Sequence, residues 1–238
     1  MKKLLLEAAE ALANKFRVEI GLNLLEPISV KSILRKKNIL TIYRPLSEKS
    51  YGLSLKSKEG DCFMLVNSNS TRGRQHFTIG HELFHLFYDE NPTPHICGDE
   101  EGSTSTTEKN ADMFASALLM PKEGLLQFVS PEEIISKDIK LATVLKMEQY
   151  FSVSRSSLLI RLKGIGLLTE NSLKSQLNIP VKESAKQYGY DLSLYNSGNE
   201  NLVIGDFGEK ARLLYDSGKI SEGHYTELLN LISNGEED

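Results

Sequence analysis

The sequence is poor in several residue types, and each shortage excludes a class of protein. It contains no tryptophan and, among 238 residues, only two cysteines, Cys62 and Cys97. Two cysteines form at most one bridge, so the chain is not a disulfide scaffold and a reducing cytosol is the simpler expectation. No apolar run approaches the roughly 20 residues that a membrane span needs. We therefore expect a soluble, cytoplasmic protein with no membrane partner.

An excess of positive charge is also missing. The chain carries 28 basic and 32 acidic side chains, for a formal net charge of −4. Proteins that hold nucleic acid through its phosphates present a basic surface. A direct nucleic-acid partner is therefore not expected for the chain as a whole, although a local basic face is compatible with these counts.

What remains is the composition of an ordinary globular protein. Hydrophobic residues make up 40% of the chain and charged residues 25%, which is typical of soluble domains. Turn signals and motifs divide the chain into a first domain over residues 1–125, a helical module over 126–170 and a C-terminal helical region over 171–238. Within the last two parts, helices are predicted over 131–168, 206–217 and 221–232.

Hydrophobic periodicity predicts an α+β fold for the first domain. Helical segments over residues 2–17 and Val30–Leu34 are followed by three short runs that predict a small antiparallel three-stranded sheet. These runs are Asn38–Arg44, Tyr51–Leu55 and Cys62–Asn67. Helical spacing returns over 74–88 and 107–120, where Pro121 ends the second helix.

Residues 81–85 read His-Glu-Leu-Phe-His, an HExxH motif inside the helix predicted over 74–88. Four residues advance a helix by about 400°, so His81 and His85 lie on one face about 6 Å apart along the axis. Two neutral imidazoles so placed can share one Zn²⁺, and Glu82 can act as general base toward a zinc-bound water. The alternative is a pair of surface or capping histidines on an amphipathic helix. This helix is otherwise largely apolar, however, and buried histidines need partners.

A catalytic zinc takes three protein ligands and keeps one position for water, so a third ligand is needed. The sequence offers six candidates downstream of the motif. They are His95, Asp99, Glu100, Glu101, Glu108 and Asp112. Glu108 and Asp112 stand four residues apart on a helix face that continues through small and apolar residues, which points both carboxylates inward. This favours Glu108 as the ligand and Asp112 as the acceptor of the distal N–H of a ligating histidine.

Two alternatives for these residues stay open. Ser105-Thr106-Thr107-Glu108 matches a capping box, in which Glu108 stabilises the start of its helix instead. His95 competes as the ligand because it is a histidine in the long loop over 91–107.

Three further side chains are candidates for contacts with the oxyanion or the substrate. His76 and Tyr88 lie one or two turns from the predicted ligands, and His95 lies in the loop that follows; packing roles are the alternative. The strand Cys62–Asn67 would bind an extended peptide by strand addition if it lay at a sheet edge beside the site. If it lay in the core, it would have no such role.

Two blocks of sequence resemble the ImmA/IrrE family of metallopeptidases. The first is His-Phe-Thr-Ile-Gly over 76–80 followed by the HExxH motif, and it is similar to the family's FT-x-x-HE-x-x-H block. The second runs from Glu108 to Pro121 and is similar to E-x-x-A-[ND]-x-FA-x-x-LLMP. The resemblance implies a gluzincin-type site in which His81, His85 and Glu108 bind zinc and Glu82 is catalytic. It also implies limited proteolysis of a DNA-binding repressor, in the control of mobile elements or of stress.

Residues 141–162 resemble a helix-turn-helix whose second helix begins at Ser154 and exposes Arg155, Ser156 and Ser157. Six basic and five acidic side chains over 131–170 leave a balance of only +1, which is weak for phosphate contacts. We therefore expect a helical module packed beside the peptidase, with DNA binding as the alternative.

The leading hypothesis is a zinc endopeptidase whose partner is a protein substrate, a cytosolic regulatory protein of the repressor type. One rival is a non-catalytic module that retains the zinc site and holds a partner or DNA. A second rival is a structural zinc site closed by a fourth protein ligand such as His95.

Overall fold

The computed structural model describes residues 3–89, 97–98 and 105–233, and these form a mixed α+β fold, as predicted. The strands are β1 (Ile39–Arg44), β2 (Ser50–Lys56), β3 (Cys62–Asn67), β4 (Cys97–Gly98) and β5 (Val203–Ile204). The helices are α1 (Leu6–Glu19), α2 (Val30–Lys36), α3 (Arg72–Tyr88), α4 (Thr106–Leu119), α5 (Lys122–Leu126), α6 (Pro131–Ser136), α7 (Leu141–Phe151), α8 (Arg155–Gly164), α9 (Glu170–Leu177), α10 (Val181–Gln187), α11 (Phe207–Asp216) and α12 (Glu222–Ser233), with a 3₁₀ turn at Ser193–Tyr195. No helix within these ranges has the length and apolar character of a bilayer-crossing segment.

The sheet differs from the predicted antiparallel meander. The described residues form five strands in the order β4-β2-β3-β1-β5. β1 pairs in parallel with β3, while the other pairings are antiparallel. The prediction of three antiparallel strands was therefore wrong in topology, although each of the three strands exists. Period-2 alternation identifies a strand but does not select its neighbour. The strand Cys62–Asn67 lies between β1 and β2, so it is a central strand and not an edge.

Asn67 stabilises the loop that leads from β1, across the end of β3, to β2. The strand order and the parallel β1–β3 pair require this crossing. The loop from β1 to β2 passes over the end of β3, where Asn67 is buried. The Asn67 amide accepts a hydrogen bond from Leu46 N at 3.0 Å and donates to Ser47 O and Ser50 O at 3.0 and 2.7 Å. One side chain thus satisfies the backbone groups that the crossing loop leaves without a strand partner.

The C-terminal region contributes to the sheet. β5 pairs with β1 through Thr41 and Ile204. The buried Gln75 of α3 donates to Gly198 O at 3.0 Å and accepts from Asn199 Nδ2 at 2.8 Å. Residues near 200 are thus joined to both the sheet and α3, while the division into three domains stays a prediction.

The segment predicted to resemble a helix-turn-helix forms α7 and α8, but the prediction that Arg155 is exposed was wrong. Arg155 is only 2% exposed and forms an ion pair with Glu148, which is fully buried. Tyr195 donates to the same carboxylate at 2.7 Å, and Ser184 accepts from the Arg155 guanidinium at 3.1 Å. The reason is tertiary, because Ser184 and Tyr195 come from a later part of the chain, in α10 and the 3₁₀ turn. The sequence predicted no individual element there.

The strand β2 lies against α3 with a regular spacing. Gly52 and Lys56 both contact this helix: a Cβ added at Gly52 would lie 2.7 Å from Thr78 Cγ2, and Lys56 Nζ donates to Leu86 O at 3.1 Å. Residues at every second position of β2 therefore meet successive turns of α3. Gly52 permits this approach because it has no side chain.

Gly52→Ala is expected to lower the free energy of unfolding by about 1–3 kcal/mol, since the new methyl group would overlap Thr78 and the Leu65 carbonyl. Urea denaturation measures the change. Gly164→Ala is the matched control, because a Cβ there meets nothing within 4 Å and should leave stability unchanged or slightly raised. Equal midpoints for the two variants would contradict the close β2–α3 contact.

Candidate metal centre

Helix α3 carries both histidines of the motif on one face, as their spacing predicts. His81 and His85 are each 3% exposed, and their Nε2 atoms lie 3.1 Å apart. Glu82, between them in sequence, is fully buried. The helix therefore brings two imidazole nitrogens together within the protein interior.

Helix α4 brings a carboxylate to the same point. A Cβ added at Gly80 would lie 3.2 Å from Ala115 Cβ, so α3 and α4 approach each other closely there. Two turns before Ala115, Glu108 places Oε2 at 3.1 Å from His81 Nε2 and Oε1 at 3.4 Å from His85 Nε2. The ligand atoms of the three side chains lie within 4.8 Å of one another.

The other ring nitrogen of each histidine, Nδ1, contacts an aspartate, and the two rings have different aspartates. His81 Nδ1 lies 2.9 Å from Asp112 Oδ1, and His85 Nδ1 lies 3.1 Å from Asp89 Oδ2. A carboxylate accepts, so each Nδ1 donates, and in the neutral ring this assigns a lone pair to Nε2. Two nitrogen lone pairs and a carboxylate then converge on one point. These electron-rich groups repel one another electrostatically unless they share a cation. The donor set thus fits a metal ion.

The pKa of His85 supports the same protonation state. Burial lowers this pKa from its ordinary value, and the neighbouring His81 lowers it further, against opposing contributions from Asp89, Glu82 and Glu108. A neutral imidazole is the form that binds metals.

Glu82 occupies a different position from the three convergent side chains. Its Oε2 accepts a hydrogen bond from Ser54 Oγ of β2 at 2.6 Å. Its Oε1 is buried and has no hydrogen-bond partner among the residues that the structure describes. One oxygen is therefore engaged, and the other retains its lone pairs.

Ser105 caps helix α4, and the Glu108 carboxylate lies at the position predicted for a metal ligand. Ser105 is the N-cap of α4 and accepts from Glu108 N at 3.2 Å, while the Glu108 carboxylate lies against the histidines. Asp112 lies where it was predicted relative to His81, but its side chain is largely exposed and does not point inward as expected. The competing ligands at 95 and 99–101 fall outside the described residues.

The other predicted substrate contacts lie in packing environments. His76 Nδ1 donates to Ser152 O at 2.8 Å, which joins α3 to the turn before α8. The Tyr88 ring packs against Phe114 at 5.2 Å and Phe84 at 6.1 Å between centroids, and burial raises its pKa to about 12. Their roles toward an oxyanion or substrate stay predictions, as does that of His95, which is not among the described residues.

Sequence reasoning missed two residues of this site. Asp89 stands four residues after His85, so helical spacing was a signal that could have identified it. Ser54 had no local signal, because its contact with Glu82 depends on how β2 packs against α3.

An HExxH helix whose histidines converge with a glutamate from a following helix is typical of the metallopeptidase class. A model of the peptidase family described as the IrrE N-terminal-like domain matches residues 34–163, more than half of the chain. The chain belongs to this family, which confirms the resemblance seen in the two sequence blocks. A search of curated proteins finds no match.

Asp89→Ala is expected to lower the affinity of the site for Zn²⁺ and Co²⁺ by roughly 10–100-fold, because His85 loses the acceptor that orients its ring. Competition with a chromophoric chelator measures the affinity. Asp89→Asn keeps an acceptor oxygen and should lose less. The control Asp138→Ala removes an exposed carboxylate elsewhere and should bind as the wild type does; an Asp89→Ala affinity equal to this control would contradict the role.

Metal affinity should also depend on pH in a defined direction. Protonated imidazole cannot bind a metal, so affinity falls as pH falls through the pKa of the ligating histidines. Because the pKa of His85 is lowered, the decrease is expected to begin only below about pH 6.5, the ordinary histidine value. Chelator competition between pH 8 and pH 5 tests this, and a steep loss already between pH 8 and 7 would contradict it.

Proposed function

We propose that this protein is a zinc-dependent endopeptidase that cleaves a cytosolic regulatory protein, of the helix-turn-helix repressor type, at limited sites. The observation that carries the proposal is the convergence of His81, His85 and Glu108 beside the buried carboxylate of Glu82. Membership of a peptidase family supports it.

Zinc is proposed on the chemistry and spacing of the donor set. Two imidazoles and one carboxylate suit zinc better than magnesium or calcium, which prefer oxygen ligands. Zinc bonds of about 2.0–2.2 Å place tetrahedral ligand atoms about 3.3–3.6 Å apart. The two Nε2 atoms lie 3.1 Å apart, and the nearest Glu108 oxygen lies 3.1 Å (Oε2) from His81 Nε2. The other oxygen, Oε1, lies 3.4 Å from His85 Nε2, so all three separations are close to that value.

The chain's own residues divide the catalytic work. When bound, zinc supplies Lewis-acid chemistry and lowers the pKa of a water ligand to about 7. Glu82 accepts the proton of the attacking water at a carboxylate oxygen and passes it to the departing amine. Asp112 and Asp89 hold the imidazoles in the tautomer that binds the metal.

The outer edge of β2 is the proposed position of the substrate backbone. Among the described residues, β4 pairs with the beginning of β2, at Ser50 and Gly52. Further along, Ser54 contacts Glu82, so this stretch of β2 runs beside the general base. An extended peptide added antiparallel or parallel to it would present its carbonyl groups to the site.

A protein substrate is favoured over direct DNA binding. The arginine predicted to face DNA is buried in an ion pair with Glu148, and the chain has no basic excess. We therefore propose that any link to DNA passes through a cleaved cytoplasmic repressor.

Glu82→Gln is expected to retain one equivalent of zinc and to lower the rate of repressor cleavage by about 10²–10⁴-fold, because the amide cannot accept the proton. His81→Ala should lose both zinc and cleavage. The substrate to test is a helix-turn-helix repressor encoded beside this gene. Its cleavage is measured by electrophoresis, and the zinc content of the same samples by metal analysis.

Glu123→Gln, which changes an exposed glutamate of α5, is the control and should cleave as the wild type does. If Glu82→Gln cleaves at the wild-type rate, the general-base assignment is wrong. Stoichiometric zinc together with partner binding but no cleavage by the wild type would favour the non-catalytic alternative.

A further inference from the structure

We propose that Ser54 is a positioning residue for Glu82: its hydroxyl fixes one oxygen of the general base, so that the other is held ready for the proton of the attacking water. The inference rests on the proposed function, since it assigns Ser54 a role through the catalytic glutamate. Ser54 would act through Glu82 and not directly on the substrate.

The Ser54–Glu82 contact has the geometry of a strong hydrogen bond. Ser54 Oγ donates to Glu82 Oε2 at 2.6 Å, and the two residues are 8% and 0% exposed. Hydroxyl-to-carboxylate bonds of 2.5–2.7 Å are charge-assisted and about twice as strong as neutral ones. Water competes little with a bond that is this deeply buried.

Ser54 is held by rigid structure on both sides. Its backbone pairs with Met64 of the central strand β3. Its neighbours on the same face of β2, Gly52 and Lys56, contact α3 one turn before and one turn after Glu82. The position of the hydroxyl is therefore set by the sheet, and not by a loop.

The consequence concerns the rotation of the Glu82 carboxylate. The terminal torsion of a glutamate is broad and roughly two-fold, so the torsion alone fixes the orientation of a carboxylate only weakly. With Oε2 bound to Ser54, the buried Oε1 has no other partner within the described part of the chain. Ser54 thus fixes the plane of the carboxylate and leaves Oε1 as the oxygen that can accept the proton.

The test measures binding of acetohydroxamate to the zinc-loaded protein by isothermal titration calorimetry. This probe binds zinc through two oxygens and places an acidic proton beside the general base, so it reports Glu82 without requiring a substrate. The variants are Ser54→Ala, Ser54→Thr, Glu82→Ala and the double variant Ser54→Ala/Glu82→Ala. Zinc content and urea midpoints are measured for each.

Ser54→Ala is expected to weaken acetohydroxamate binding roughly tenfold with unchanged zinc content, and Ser54→Thr, which keeps the hydroxyl, should restore most of it. In the Glu82→Ala background the serine has nothing to position, so its removal should have no further effect. Ser68→Ala is the control, because Ser68 is also buried and its hydroxyl has no partner among the described residues. This variant should bind as the wild type does.

Two results would overturn the inference: wild-type affinity in Ser54→Ala, or an equal loss on removing Ser54 with and without Glu82. The Glu82 and Ser54 variants also distinguish a failure of this inference from a failure of the proposed function. Unchanged affinity in Glu82→Ala alone refutes the general-base assignment and the inference with it. A normal response to Glu82→Ala with no response to Ser54→Ala refutes only the role of Ser54.

Discussion

The match between the spacing of β2 and the turn of α3 is the constraint on which the site depends. Two residues of a strand advance about 6.6–6.8 Å, and four residues of a helix about 6 Å. Gly52, Ser54 and Lys56 therefore meet Thr78, Glu82 and Leu86 in succession. This alignment places the Ser54 hydroxyl on the buried Glu82 carboxylate. Burying a polar group without a hydrogen-bond partner is costly, and this contact offsets part of that cost.

The site also depends on the close approach of α3 to α4. Gly80 and Ala115 let the helices come close enough for Glu108 to meet both histidines. Because Asp112 and Asp89 occupy the outer nitrogens, the inner ones converge as lone pairs. The same contacts that orient these side chains thus bring electron-rich atoms close together in the folded protein. A bound cation would relieve their repulsion and so would stabilise the fold.

The C-terminal half of the chain packs against the sheet and against the helix that carries the site. β5 extends the sheet beside β1, and Gln75 ties the start of α3 to residues 198–199. The ion pair of Arg155 and Glu148 joins α7 and α8 to Ser184 and Tyr195. Removing one partner of such a buried pair leaves an uncompensated charge, so these residues serve the fold and are not available for reading DNA.

The sequence by itself determined what lies within a few residues along one element. The spacing of His81 and His85, the common face of Glu108 and Asp112, and the α+β pattern all follow from the periods of a helix and a strand. Only the tertiary structure decided the parallel β1–β3 pair, the burial of Arg155 and the contact of Ser54 with Glu82. Each of these joins residues from different elements, and local periodicity specifies which face a residue occupies but not what packs against it.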